Sequence, residues 1–283
     1  MRTRIFNKMT AQEVEDYLAR GGDTIFVGIG VVEVHGACPI DCEQLIPEAA
    51  ALAMADEVDG LAMINLPYFY PGGTVISNAT VHMSIRDGMD YLHKLTHSLV
   101  DQGFRRIYFV SGHGPSAMTL NGFCRDFFDE TLIHVCHLGF LNLIVKAYGN
   151  EAAGNPSFLD DVLYGAYKMF GQLDFIPINP NATEDRGDRI PIDPAMKEFM
   201  DLYRPYAGYG ATAQIFSDPR QHGGGRVFKS RRELEEVADK GIAQLKDLVS
   251  RLHLKEMNEA LANYHTHVQK TADKYPRLRR KSL

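Results

Sequence analysis

No run of apolar residues in this 283-residue chain approaches the roughly 20 residues that a membrane-spanning helix needs, so a transmembrane protein is not expected. The start, Met1-Arg2-Thr3-Arg4-Ile5-Phe6-Asn7, lacks the apolar core of a signal peptide. Cysteines are few: Cys38, Cys42, Cys124 and Cys136 are too scattered for a disulfide framework, and a reduced, cytoplasmic protein is the expectation. Basic charge is not in excess either. Thirty Lys and Arg against 36 Asp and Glu leave a formal net charge of -6, which argues against a nucleic-acid partner and for a small-molecule one. No internal repeat or linker interrupts the chain. Residues 1–283 therefore read as one domain, with a basic, frayed tail from about 270.

The stretch that organises the rest lies at 24–46. The apolar run Ile25–Val32, rich in β-branched residues and without polar alternation, reads as a buried parallel strand. Its carboxyl end delivers Glu33, His35, Cys38, Asp41, Cys42 and Glu43, where open α/β sheets place their chemistry. Around it the pattern alternates. Thr10-Ala11-Gln12-Glu13 is a capping box that opens a helix ending at Gly21-Gly22. Leu45, Ile46, Ala49, Ala50 and Met54 share one face of a helix from about Glu43 to Val58. Leu61–Leu66 is a strand, Ser84 caps a helix to Gln102, and Arg106–Ser111 is a third strand. A helix with Phe123, Phe127 and Phe128 follows, then a strand at Leu132–Leu138 and a helix at Phe158–Phe170. Residues 172–228, dense in Pro, Gly, Asn and Asp, are expected to wander. Ser230-Arg231-Arg232-Glu233 is a second capping box, opening a helix that continues past Leu252. The expected fold class is α/β: a three-layer α/β/α sandwich with a mostly parallel central sheet.

Two strand ends of one sheet, at Glu33 and His35 and at His113, could lie a strand spacing or two apart. Glu, His, a further carboxylate and His suit a divalent ion such as zinc, manganese or iron, and a carboxylate bridging two ions makes a centre that acidifies water and polarises a carbonyl. The plain alternative is polar residues at a strand exit and a histidine capping a turn. Gly28-Ile29-Gly30 is not a dinucleotide loop, since no third glycine follows. Cys38 and Cys42 have no second Cys/His pair at matching spacing for a structural zinc. Asp160 and Asp161 at a helix start read as a solvated first turn. His222, in His222-Gly223-Gly224-Gly225-Arg226, is either a general acid reaching over the site or part of a flexible loop. Tyr68, Phe69 and Tyr70 either wall a pocket or pack against a neighbouring subunit.

Glu33-Val34-His35-Gly36, a proline, an acid and then Leu45-Ile46-Pro47-Glu48-Ala49 resemble the first motif of the creatininase (creatinine amidohydrolase) family, Glu-x-His-Gly-x-His-Leu-Pro followed by Thr-Asp opening a helix. Phe104-Arg105-Arg106-Ile107 to Gly112-His113-Gly114 resembles its second, a Gly-Phe-Arg-Arg strand running to Asn-Gly-His-Gly-Gly-Asn. Thr80-Val81-His82-Met83-Ser84 resembles the Gly-Thr-Ile-Ser-Leu-Ser before its long helix. The match spans about residues 5–130.

The resemblance implies a homo-oligomer, often a hexamer, with a two-metal centre that hydrolyses cyclic amides or formamides. It places Glu33 and His113 on one ion, His35 on the other and Glu43 as the bridge, with Asp41 the competing bridge because the chain is one residue short between His35 and the helix. Cys38 stands for the second family His, Ser111 for an Asn, and Pro115-Ser116 for Gly-Asn. Pro115 also occupies the position of a glutamate ligand. The family's His-Ala-Gly…Glu-Thr-Ser segment has no intact counterpart; Ala153-Gly154…Leu159-Asp160-Asp161 comes nearest, without the histidine. The expectation is a metal-dependent amidohydrolase in which Glu43 orients water, His222 donates a proton, and Cys38, Ser111 and Tyr70 contact substrate. The alternatives are a degenerate, non-catalytic subunit on the same scaffold and a single-metal enzyme using Cys38.

Overall fold

The computed structural model describes residues 1–72, 78–153, 155–206, 214–223 and 225–279. Strands β1 (Thr24–Ile29), β2 (Leu61–Met63), β3 (Arg106–Ser111) and β4 (Cys136–Gly139) form one sheet in the order β2-β1-β3-β4, every pairing parallel. The helices are α1 (Ala11–Ala19), α2 (Cys42–Glu57), α3 (Ile85–Gln102), α4 (Ser116–Thr131), α5 (Phe140–Tyr148), α6 (Asn150–Ala153), α7 (Pro156–Met169), α8 (Pro194–Tyr203), α9 (Arg231–Ser250) and α10 (Leu254–Lys274). None is long and apolar enough to cross a membrane, among the described residues.

Strand alternation divides the interior in two. Phe26, Ala62, Tyr108 and Val110 point to one core, shared with α2, α5, α7, α9 and α10. Ile25, Val27, Ile29, Leu61, Met63, Ile107 and Phe109 point to the other, closed by Tyr17 of α1, Leu92 and Leu99 of α3 and Phe123 and Phe127 of α4. Both faces being covered explains why these strands read as unbroken apolar runs. The fold is the expected three-layer α/β/α arrangement.

Element ends differ from the sequence reading where a local conformation intervenes. β2 stops at Met63, because Asn65 takes a left-handed φ of 69° and gives its N–H to Glu48 Oε1. Leu132, expected to start β4, instead ends α4 in a left-handed conformation. The helix begun at Ser230 breaks at His253, also left-handed, and α10 follows as a separate element that the sequence reading did not separate. Ser230 accepts from Glu233 N, but Glu233 turns to Lys229 N, so only half of that capping box forms; the Thr10 box is complete. Helix α10 continues past 270 to Lys274, with Ala272 buried, and of the tail 280–283 lie outside the described residues. Within 172–228, α8 is ordered helix.

One contact places the chemistry. A Cβ on Gly30 would lie 2.4 Å from Gln44 Cα, and one on Gly28 would lie 2.9 Å from Glu48 Cα. The glycine pair thus lets α2 lie directly on the β1 exit, which sets Glu43 beside it. Gly30→Ala should therefore push α2 away and cost about 1–3 kcal/mol of stability through overpacking. The check is the urea unfolding midpoint; a midpoint equal to the parent's would contradict this packing.

Candidate metal centre

Four segments converge beyond the carboxyl edge of the sheet. The extension of β1 carries Glu33, whose N–H is held by Ile40 O, and His35. The first turn of α2 carries Glu43, and the β3 exit carries His113. A distant segment brings in His222. Glu33 is 1% exposed and His113 6% exposed.

Glu43 lies between two imidazoles. Its Oε1 is 3.4 Å from His35 Nε2 and its Oε2 is 3.7 Å from His113 Nε2. Glu33 Oε1 is 3.6 Å from His113 Nε2 and 3.4 Å from His222 Nε2. These separations exceed hydrogen-bond lengths. Two donors on one tetrahedral ion, each about 2.0–2.1 Å from it, lie about 3.3 Å apart, so the spacing suits shared ligation. Glu43 Oε2, His35 Nδ1 and His222 Nε2 are shielded from solvent and make no hydrogen bond. The donor atoms of Glu33, Glu43 and His113 lie within 4.8 Å of one another, as do those of Glu33, His35 and His222. On donor chemistry and spacing, the cluster fits a divalent ion.

The electrostatics follow from crowding. Burial raises the Glu33 carboxyl above the ordinary range, and Glu43 beside it adds to that. Burial also opposes ionisation of Glu43, but His113 and His35 outweigh it and hold that carboxyl well below the usual value. His35 is pulled down by burial and pushed up more strongly by Cys38 and Glu43. The Cys38 thiol, beside Cys42 and His35, falls to about 6 despite burial. His113 Nδ1 lies 3.2 Å from Ser116 Oγ, which aims Nε2 at the two carboxylates. Sequence reasoning missed Ser116; a serine three residues after a histidine at a helix entry was the available signal.

A cavity of about 310 Å³ adjoins the cluster. Its walls include Cys38, Ile46, Phe140, Leu141 and Leu163, with Asp160, Arg186 and Arg189 as polar groups. Cys38, expected to contact substrate, lines this cavity. Ser111 faces a second cavity of about 230 Å³ with His113 and His137. Tyr70 instead packs edge-on against His82, with ring centroids 6.0 Å apart. Asp41 does not join the cluster: it accepts a short hydrogen bond from the Tyr167 hydroxyl. Asp160 and Asp161 are not a solvated first turn. They lie in the second turn of α7, where Asp161 is buried against Lys240, at 2.6 Å, and Asp160 pairs with Arg186 at 2.8 Å. A further trio, His93, His97 and Glu130, lies apart on α3 and α4, with His97 Nε2 3.0 Å from Glu130 Oε1.

Comparison with known families decides the membership. The creatininase profile, described as creatinine amidohydrolase, matches residues 7–168, more than half of the chain. The chain belongs to the creatininase family. Solved creatininases share the fold of this family member. A crystal structure of creatinine amidohydrolase superposes with a TM-score of 0.60 at 18% identity, covering 93% of this chain and 98% of that one. A point variant of creatininase of the Zn–Zn type and a structure described as creatininase Mn each give 0.54 at 18% identity, covering 88% of this chain and 98% of theirs. No curated protein matches the sequence.

Behind the cluster, His137 gives a pH test of the creatininase-family scaffold. Its Nε2 is 2.8 Å from Ser111 Oγ and its Nδ1 is 2.8 Å from Asn121 Oδ1, a pair that suits neutral imidazole donating from Nδ1 and accepting at Nε2. Burial holds its pKa down at about 4. An unfolded histidine titrates near 6.5, so between those values the unfolded chain binds more protons and stability falls as pH drops. This contribution is complete above about 6.5 and lost as pH falls toward the folded value. His137→Gln should lose less stability than the parent between pH 7 and pH 5, read as the change in urea midpoint; equal losses would exclude His137 as the source.

Proposed function

We propose that this creatininase-family chain is a metal-dependent amidohydrolase with two divalent ions, acting on the C–N bond of a small cyclic amide or formamide. The observation that carries the reading is the Glu43 carboxylate facing His35 with one oxygen and His113 with the other, at 3.4 and 3.7 Å. Glu33 and His113 would hold one ion, His35 the other, and Glu43 would bridge them. Glu43 is favoured over Asp41, whose carboxylate is taken up by Tyr167. The Zn–Zn type and Mn descriptions of the solved relatives support zinc or manganese. Such ions supply Lewis acidity and a water acidified toward neutrality.

The chain's own residues supply the rest. The Glu43 carboxylate, set between His35 and His113, would orient the attacking water in the centre. Ser116 fixes the ring of His113, and so the direction of its Nε2. The apolar wall of Ile46, Phe140, Leu141 and Leu163 excludes bulk water from one side of the cavity, and its size suits a small molecule. Arg186, Arg189 and Asp160 give polar contacts that fix substrate orientation. Cys38 lies beside His35 on the wall of the same cavity and presents its thiol to a bound molecule.

Glu43→Gln should keep the circular dichroism spectrum of the parent, reduce bound zinc or manganese measured by elemental analysis after dialysis, and lower hydrolysis of small cyclic amides and formamides by at least ~100-fold. Chelation of the parent should abolish the same activity, and re-addition of zinc or manganese should restore it. Full activity in the chelated parent would overturn the proposal.

A further inference from the structure

The two-ion reading leaves one position short of donors. A catalytic ion takes about three protein donors and keeps a position open. Glu33, His113 and one Glu43 oxygen serve the first ion. His35 and the other Glu43 oxygen give the second only two, since the Cys38 thiol beside His35 groups with Cys42 and not with Glu33 or Glu43. The β3 exit has nothing more to offer, because Gly114 and Pro115 carry no donor atom and Ser116 is engaged by His113.

We infer that His222 is the third protein ligand of the second ion, binding through Nε2; this rests on the two-ion reading. His222 Nε2 is shielded from solvent and makes no hydrogen bond, although it lies 3.4 Å from Glu33 Oε1 and within 4.8 Å of the His35 donor atom. The ring is held on both sides. It stacks on Phe216, with centroids 5.0 Å apart and planes at 29°, and meets His35 edge-on at 5.0 Å.

The segment that carries His222 is anchored rather than loose. Asp218 accepts from Arg220 N at 2.8 Å. Gln221, itself buried, accepts from Ser217 N and Asp218 N and donates to Pro191 O at 3.1 Å. On the far side, Arg226 N donates to the Tyr164 hydroxyl at 2.8 Å. Gly223, at φ +87°, lies so close to His35 that a Cβ there would fall 2.5 Å from the His35 carbonyl carbon. The backbone thus rests on the residue whose coordination His222 completes. A proton donor to a leaving nitrogen needs a protonated ring nitrogen facing substrate, whereas a ligating Nε2 has no proton to give. The ring's direction, toward Glu33 and His35, matches ligation. His222 does not line the cavity beside the cluster, although Gly223 and Gly225 do.

The test is a Co²⁺ titration of the full chain, stripped of metal, followed by visible absorption and by elemental analysis after dialysis. His97→Ala is included throughout to remove the separate trio on α3 and α4. This parent should bind two Co²⁺. His222→Ala should retain the tighter ion, hold the second at least ~10-fold more weakly and show an altered visible band, with partial recovery on adding imidazole. His222→Gln, which keeps volume and hydrogen bonding, should behave like His222→Ala without the imidazole effect. Two ions held at parental affinity with a parental spectrum in both variants would overturn the His222 assignment and leave the two-ion reading standing. A parent that takes up no Co²⁺ would overturn both.

Discussion

Two carboxylates, Glu33 and Glu43, are buried side by side among three imidazoles, and the arrangement of the rest answers to that. Removing two negative charges from water is costly unless positive charge faces them closely. Histidine supplies part of that charge only while it is protonated. A divalent ion would supply it at any pH where the histidines are neutral. Ion-pair spacings of 3.4–3.7 Å fit this better than a set of direct hydrogen bonds would.

The scaffold brings such a cluster together because parallel strands deliver their exits to one edge. β1 and β3 are adjacent and in register from Thr24–Arg106 to Ile29–Ser111, so Glu33, His35 and His113 leave the sheet as neighbours. Close seating of α2 on Gly28 and Gly30 adds Glu43 to the same edge. Apolar burial on both faces holds these backbones, and the clustered carboxylates and imidazoles sit where the sheet ends. Stability and chemistry are thereby kept in different layers of the molecule.

The first half of the chain was legible because its signals are local. Arg106–Ser111 and the helix from Ser84 to Gln102 carry their own boundaries in apolar continuity, a capping serine and a terminal glycine. Glu33, His35 and His113 could be singled out from motif spacing, and the fold brings them to one edge of the sheet. Other features depend on contacts far along the chain. Asp41 competes with Glu43 for the bridging place in the sequence, and it is Tyr167, more than a hundred residues on, that engages Asp41. Asp161 reads as a surface acid unless Lys240 is known to meet it. His222 sits in a glycine-rich stretch whose pattern resembles any loop, and only the anchoring of Gln221 and Gly223 shows where its ring goes. Left-handed Leu132 ends α4, and left-handed His253 opens α10, without any glycine to announce either boundary.

The account stands on two cations being held around the Glu43 carboxylate. Anomalous diffraction from crystals of the full chain, recorded at the zinc and manganese absorption edges, tests this most directly. The expected result is two anomalous peaks flanking Glu43, one beside Glu33 and His113 and the other beside His35. Maps with no anomalous peak at Glu43, from crystals grown with zinc and manganese present, would contradict it.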